Sequence, residues 1–139
     1  EKDGMEHEKR KAAGTAALLW AVLAVIFSLL SGGMETASVE TLSDFLRVCI
    51  VLPVLEELVF RGGMQFCLRP IGANVAICLQ ALLFAALHGS LKAKCYALGM
   101  GLIFGWAAEK TGNLWTGLFL HLLNNGLVVA GSLAERGIG

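Results

Sequence analysis

Residues 50–62 read IVLPVLEELVFRG, and their character decides the fold. Two adjacent glutamates, Glu56 and Glu57, and Arg61 one turn later interrupt an otherwise apolar run, with Pro53 just ahead of them. At the centre of a membrane helix each charge costs about 2.5–3.5 kcal/mol on insertion scales, so such residues face a bundle interior or a watery cavity and pair with one another. The rest of the chain supports a membrane reading. Of 139 residues, 56% are hydrophobic and 16% charged, and residues 1–11 (EKDGMEHEKRK) hold eight of the 22 formal charges. Soluble domains average about 25% charged residues. The 14 charges left for the other 128 residues are too few to solvate a small globule. We therefore expect an all-α, polytopic transmembrane bundle. Zero net charge argues against a nucleic-acid partner. Cys49, Cys67, Cys78 and Cys95 are widely spaced with no C-x-x-C pair, which excludes a disulfide scaffold and suggests free buried thiols.

A helix needs about 20 mainly apolar residues to cross the hydrocarbon core. Residues 12–30 supply 19 without a charge, and Ser31-Gly32-Gly33 ends the run. No signal peptide is recognisable, and residues 1–11 read as a solvated polar tail, His7 included. After an acidic loop (Glu35, Glu40, Asp44), Thr41 or Ser43 caps a second helix that runs to Cys67, is kinked by Pro53 and is stopped by Arg69-Pro70. Residues 71–88 form a third helix, followed by a short basic loop, 89–94. Residues 96–109 form a fourth, with Gly101-x-x-x-Gly105 as a close-packing face. A turn at 110–113 leads into a fifth, 114–131, and 132–139 are a polar end. Residues 12–139 thus read as one domain of about five membrane helices. Lys9, Arg10 and Lys11 beside the first helix put the N-terminus on the cytoplasmic side.

The polar residues recur with helical spacing. Glu57 and Arg61 stand at i,i+4, acid before base, the better order for an intrahelical ion pair, while Glu56 points about 100° away. Phe84-x-x-x-His88 ends the third helix, and His121-x-x-x-Asn125 lies in the fifth, with Asn124 read as off the His121 face. Singly, each could be a packing residue. Together, on three otherwise apolar helices, they point to a common cavity. Ser90 lacks a nucleophile-elbow context and there is no H-E-x-x-H, which leaves water as the nucleophile. A buried glutamate such as Glu56 can take its proton, His88 can hold the water, and His121 with Asn125 can donate to the oxyanion formed at a peptide carbonyl. Glu57 and Arg61 support that turn.

These residues resemble the motifs of the CAAX-protease and bacteriocin-processing (CPBP, or Abi) family of intramembrane endopeptidases. Glu56-Glu57-Leu-Val-Phe-Arg61 resembles its Glu-Glu-x-x-x-Arg motif, Phe84-x-x-x-His88 its second and His121-x-x-x-Asn125 its third, over residues 52–126. The resemblance implies a helical bundle with a conical cavity, and metal-independent attack by glutamate-activated water. It casts Glu56 as the base, His88 as its partner on the water, His121 and Asn125 as the oxyanion hole, and Glu57 and Arg61 in support. No cofactor is implied. Substrates would be membrane-associated proteins or peptides, prenylated CAAX proteins among them. Relatives carry more membrane helices than five, and Gly117 stands where they lead one to expect proline.

Three other readings compete. Glu56, His88 and His121 could supply three ligands to a divalent metal. The chain could be a non-catalytic subunit or assembly factor of a larger membrane complex, or a homo-oligomer, using the Gly101/Gly105 face. A proton-coupled carrier would also use membrane Glu and His, but five helices without repeats fit it poorly. The prokaryotic plasma membrane is the default location, with chloroplast and endoplasmic reticulum membranes as alternatives.

Overall fold

The computed structural model describes residues 1–32 and 39–137. Gly33 and Glu35 of the expected loop fall outside them. Five helices follow one another: α1 (Lys2–Ser31), α2 (42–68), α3 (Ala73–Ala86), α4 (Leu91–Thr111) and α5 (Trp115–Gly137). Their surface inverts the pattern of a water-soluble protein. Leu18, Val25, Leu29 and Leu30 on α1, Leu58 and Val59 on α2 and Leu82 on α3 are exposed, whereas Glu57, Arg61, Gln65, Gln80, His121 and Asn124 are buried. Apolar outside and polar inside is what a lipid solvent selects. The chain is an all-α membrane helical bundle. By length and composition, α1 and α5 can each cross a bilayer; α3 is apolar but has 14 residues, about 21 Å at 1.5 Å per residue.

Several boundaries differ from the sequence reading. The first helix begins at Lys2 rather than at residue 12, so residues 2–11 are its exposed first turns and not an irregular tail. Lys11 donating to Glu8 at 3.1 Å is one contact that favours this continuation. Gly32, at φ 73°, closes α1 in the left-handed conformation that a glycine adopts without strain. The expected fourth helix is longer: Ser90 caps it by accepting from the Ala93 N–H at 3.0 Å, so Lys92 and Lys94 are helical rather than in a loop. The fifth continues to Gly137, so 132–137 of the expected polar end are helical and 138–139 lie outside the described residues. Only Cys49 of the four free thiols is buried; Cys67, Cys78 and Cys95 lie on the surface.

Helix α2 begins where expected, with a capping box in which the Thr41 hydroxyl accepts from the Asp44 N–H and the Asp44 carboxylate accepts from the Thr41 N–H. Inside, it alternates. Arg47–Val51 and Glu57–Gln65 are π-helical and flank an α-helical turn, Leu52–Glu56, that contains Pro53. In the first π stretch Leu52 N–H reaches Arg47 O, five residues back. Continued by one residue, that register sets the Val48 carbonyl opposite Pro53, which has no N–H to give.

Close packing holds α3, α4 and α2 together. A Cβ on Gly101 would lie 2.9 Å from Ala81 Cα, so the two helices approach backbone to backbone there. Buried side-chain amides then bind the glycine carbonyls: Gln80 donates to Gly101 O at 2.8 Å and Gln65 to Gly105 O at 2.9 Å. Small residues bridged by polar donors are the usual means of membrane-helix association, because lipid supplies no hydrophobic drive between helices. Helix α1 packs through Ala16 and Trp20 against Tyr96, Met100, Phe104, Ala107 and Leu120. At the far end, Arg69 forms a two-pronged pair with Glu109, Nε at 3.0 Å and Nη2 at 2.9 Å, tying the end of α2 to α4.

Candidate active site

The carboxylate pair sits where the α-helical turn that ends at Glu56 meets the second π stretch, which begins at Glu57. Glu57 is buried and its Oε1 accepts from two donors, Arg61 Nη1 at 3.0 Å and His121 Nδ1 at 2.9 Å. The Arg61 side chain, 0% exposed, lies with its guanidinium 4.4 Å from the centroid of Phe84 and 5.7 Å from that of Phe104. Two aromatic faces and one carboxylate thus replace water around a buried cation. Gly117 leaves the space this requires, since a Cβ there would come within 3.0 Å of Glu57 Oε2 and 3.3 Å of Phe104 Cβ.

His121 joins the two glutamates. Its Nδ1 faces Glu57, already held by Arg61, and so donates; its Nε2 lies 3.3 Å from Glu56 Oε2. A contact of that kind requires one proton between nitrogen and oxygen. The glutamates differ sharply in access: the Glu56 side chain is 31% exposed and that of Glu57 2%. Glu56 opens on a cavity of about 270 Å³ that His88, His121, Asn124, Asn125 and Lys92 also line, with Phe84, Met100 and Val128 among its apolar walls.

The histidine expected at the end of the third helix lies beyond it. That helix stops at Ala86 instead of reaching 88, and His88 sits in the following bend with Nδ1–H donating to Phe84 O at 3.0 Å. The ring stacks edge-on against Phe84, centroids 4.9 Å apart, so the i,i+4 pair still meets. With Nδ1 committed to a carbonyl, Nε2 of the neutral ring is an acceptor.

Asn125 donates through Nδ2 to the Val48 carbonyl at 2.8 Å, the group left opposite Pro53. Asn124, read from the sequence as off the site, belongs to it. It is buried, and its Oδ1 accepts from Trp20 Nε1 at 3.2 Å and Tyr96 O–H at 2.7 Å, while its Nδ2 donates to Asn125 Oδ1 at 3.2 Å. Two signals pointed to it: i+3 from His121 is also the same helix face, and buried Trp and Tyr tips need acceptors. Lys92, whose Nζ donates to Ser31 O at 3.2 Å beside the cavity, carried no such signal. Among the described residues no three His, Cys, Asp or Glu side chains form a metal-holding group, so the alternative on Glu56, His88 and His121 has no preformed site.

A membrane bundle whose polar side chains converge on a carboxylate–histidine cluster beside a cavity has the form of a buried functional site. Comparison with known proteins is more specific. Residues 38–127 match the sequence profile described as "Type II CAAX prenyl endopeptidase Rce1-like", a span that encloses every residue of the cluster on α2, α3 and α5. The chain belongs to this CAAX-protease family. It is 23% identical over 150 aligned residues to the "Putative membrane peptidase YdiL" of Bacillus subtilis (strain 168), with 92% of this chain covered. It is 30% identical over 124 residues to the "Membrane-embedded CAAX protease MroQ" of Staphylococcus aureus (strain USA300), with 78% covered. The chain spans 61% of the length of the first relative and 50% of the second. No solved structure matches it.

Proposed function

We propose that the chain is an intramembrane endopeptidase that hydrolyses a peptide bond of a membrane-associated protein or peptide with water activated by Glu56. The observation that carries this reading is the unequal access of two glutamates sharing one histidine. Glu57 is sealed between Arg61 and His121, and Glu56 alone meets the cavity. A general base must reach the proton it removes.

In this mechanism Glu56 takes a proton from water as the water oxygen bonds to the scissile carbonyl carbon. His88 Nε2 accepts the second water hydrogen and so aims the attack. The carbonyl electron pair moves to oxygen, and the oxyanion accepts from the free N–H of Asn125. Once Glu56 is protonated it no longer competes for His121 Nε2–H, which turns to the oxyanion. Collapse of the adduct breaks the C–N bond, and Glu56 returns its proton to the leaving amine. Glu57 and Arg61 touch no reacting atom; they fix the imidazole. Preorganised donors of this kind supply about 2.7–4 kcal/mol each in hydrolases.

The family's description makes a prenylated C-terminal peptide the first substrate class to test. The two named relatives are bacterial, which favours a bacterial plasma membrane. Residues 12–139 would act as one catalytic unit. The test is quantitative proteomics of membrane peptides and protein C-termini in cells lacking this chain, rescued with wild type or Glu56→Gln. A cleavage restored only by wild type is expected and names the substrate. Equal rescue by both would show that the carboxylate is not catalytic and move the reading to a scaffold.

A further inference from the structure

We propose that Asn124 is a positioning residue that sets which way the Asn125 carboxamide faces, and that Trp20 of α1 and Tyr96 of α4 hold it in that setting. The proposal rests on the hydrolytic reading above. An asparagine amide can be turned end for end with little change of shape, so something must decide its direction. The indole N–H of Trp20 decides it here. An indole only donates, so the atom 3.2 Å from it must be the Asn124 oxygen, which the Tyr96 hydroxyl also reaches at 2.7 Å. The Asn124 nitrogen is thereby turned to Asn125 Oδ1, at 3.2 Å. With its oxygen so engaged, Asn125 presents Nδ2 to the Val48 carbonyl at 2.8 Å.

Val48 uses one of the two Nδ2 hydrogens. The other is left for the cavity that Asn125 lines, where the oxyanion forms. Turned the other way, Asn125 would set its oxygen against the Val48 carbonyl and offer the oxyanion a repelling lone pair. Four helices thus take part in orienting one N–H: α1 and α4 through Trp20 and Tyr96, α5 through the two asparagines, and α2 through a carbonyl that Pro53 cannot satisfy. Asn124 touches no reacting atom in this account.

Asn124→Asp separates positioning from packing, because it keeps the oxygen that Trp20 and Tyr96 bind and removes the donor to Asn125. The assay uses the chain in lipid nanodiscs and an internally quenched peptide spanning the cleavage site found by proteomics. At pH 7 we expect kcat to fall about 100-fold with KM unchanged, the signature of a lost transition-state donor. Towards about pH 5 the introduced carboxyl takes up a proton, its O–H donates to Asn125 Oδ1, and kcat recovers relative to wild type. Wild-type kcat at pH 7, or a loss that acid does not reverse, overturns the proposal. If that variant does not fold, Trp20→Phe replaces it: a fall of about 10-fold in kcat at constant KM is expected, and unchanged kcat overturns the proposal. Should wild type cleave nothing, the hydrolytic reading fails by itself, and side-chain amide NMR still decides the geometry. Two well-separated Asn125 N–H signals that merge on Trp20→Phe support the positioning, and signals indifferent to that change contradict it.

Discussion

Glu57 and Arg61 show how much a single buried pair can demand of its neighbours. The carboxylate and guanidinium are both almost wholly inaccessible, so each depends on the other and on the Phe84 and Phe104 rings. Removing one partner strands a buried charge, at a cost of about 3–5 kcal/mol, whereas removing both is far milder. Glu57→Gln is therefore expected to lower thermal stability in detergent sharply, and Glu57→Gln combined with Arg61→Met to recover most of the loss. Additive losses from the two substitutions would contradict a coupled pair. The pair itself was legible, because acid before base at i,i+4 in an apolar helix has few other uses. What the sequence did not disclose is that Glu57 also holds His121, since that contact joins residues 64 apart in the chain. Asn124 was misread because the i+4 spacing of Asn125 was given weight over the i+3 spacing, although both project from the same face.

At the scale of helices, the departures have local causes. The third helix stops two residues short of His88 because the imidazole and the Leu87 N–H take up the Phe84 carbonyl that a further turn would have used. The π segments of α2 were not foreseeable from an apolar run without a marked period, yet Pro53, which was, has its effect through them. A proline in a regular helix removes an i→i−4 bond; were the π register of Arg47–Val51 carried one residue further, the carbonyl Pro53 leaves would be that of Val48, which Asn125 binds. Pro53→Ala returns an N–H that competes for this carbonyl. We expect that variant to fold, to loosen the Asn125 side-chain amide in NMR spectra and to slow cleavage, while unchanged amide signals would contradict this role for the proline. The Gly101-x-x-x-Gly105 face was legible as close packing, but the Gln80 and Gln65 amides that cap its carbonyls were not, because neither glutamine falls within a motif.

For the whole molecule, composition alone indicated the solvent. A chain with eight of its 22 charges in the first eleven residues and only 14 over the other 128 has a membrane surface, and the exposed leucines, isoleucines and valines of α1, α2 and α3 form it. Inside, polar groups from α2, from the bend after α3 and from α5 that the sequence scatters over 70 positions meet beside one cavity, with α1 and α4 contributing the Trp20 and Tyr96 donors. Membership of the CAAX-protease family agrees with that convergence. The central claim is that Glu56 does the chemistry while Glu57 holds the structure. Its most direct test is the cleavage rate of the Glu56→Gln chain on the identified substrate peptide, measured per folded molecule. We predict a loss of about 1,000-fold, in the range a general base contributes, with thermal stability unchanged. A variant that folds and cleaves at the wild-type rate would contradict the account.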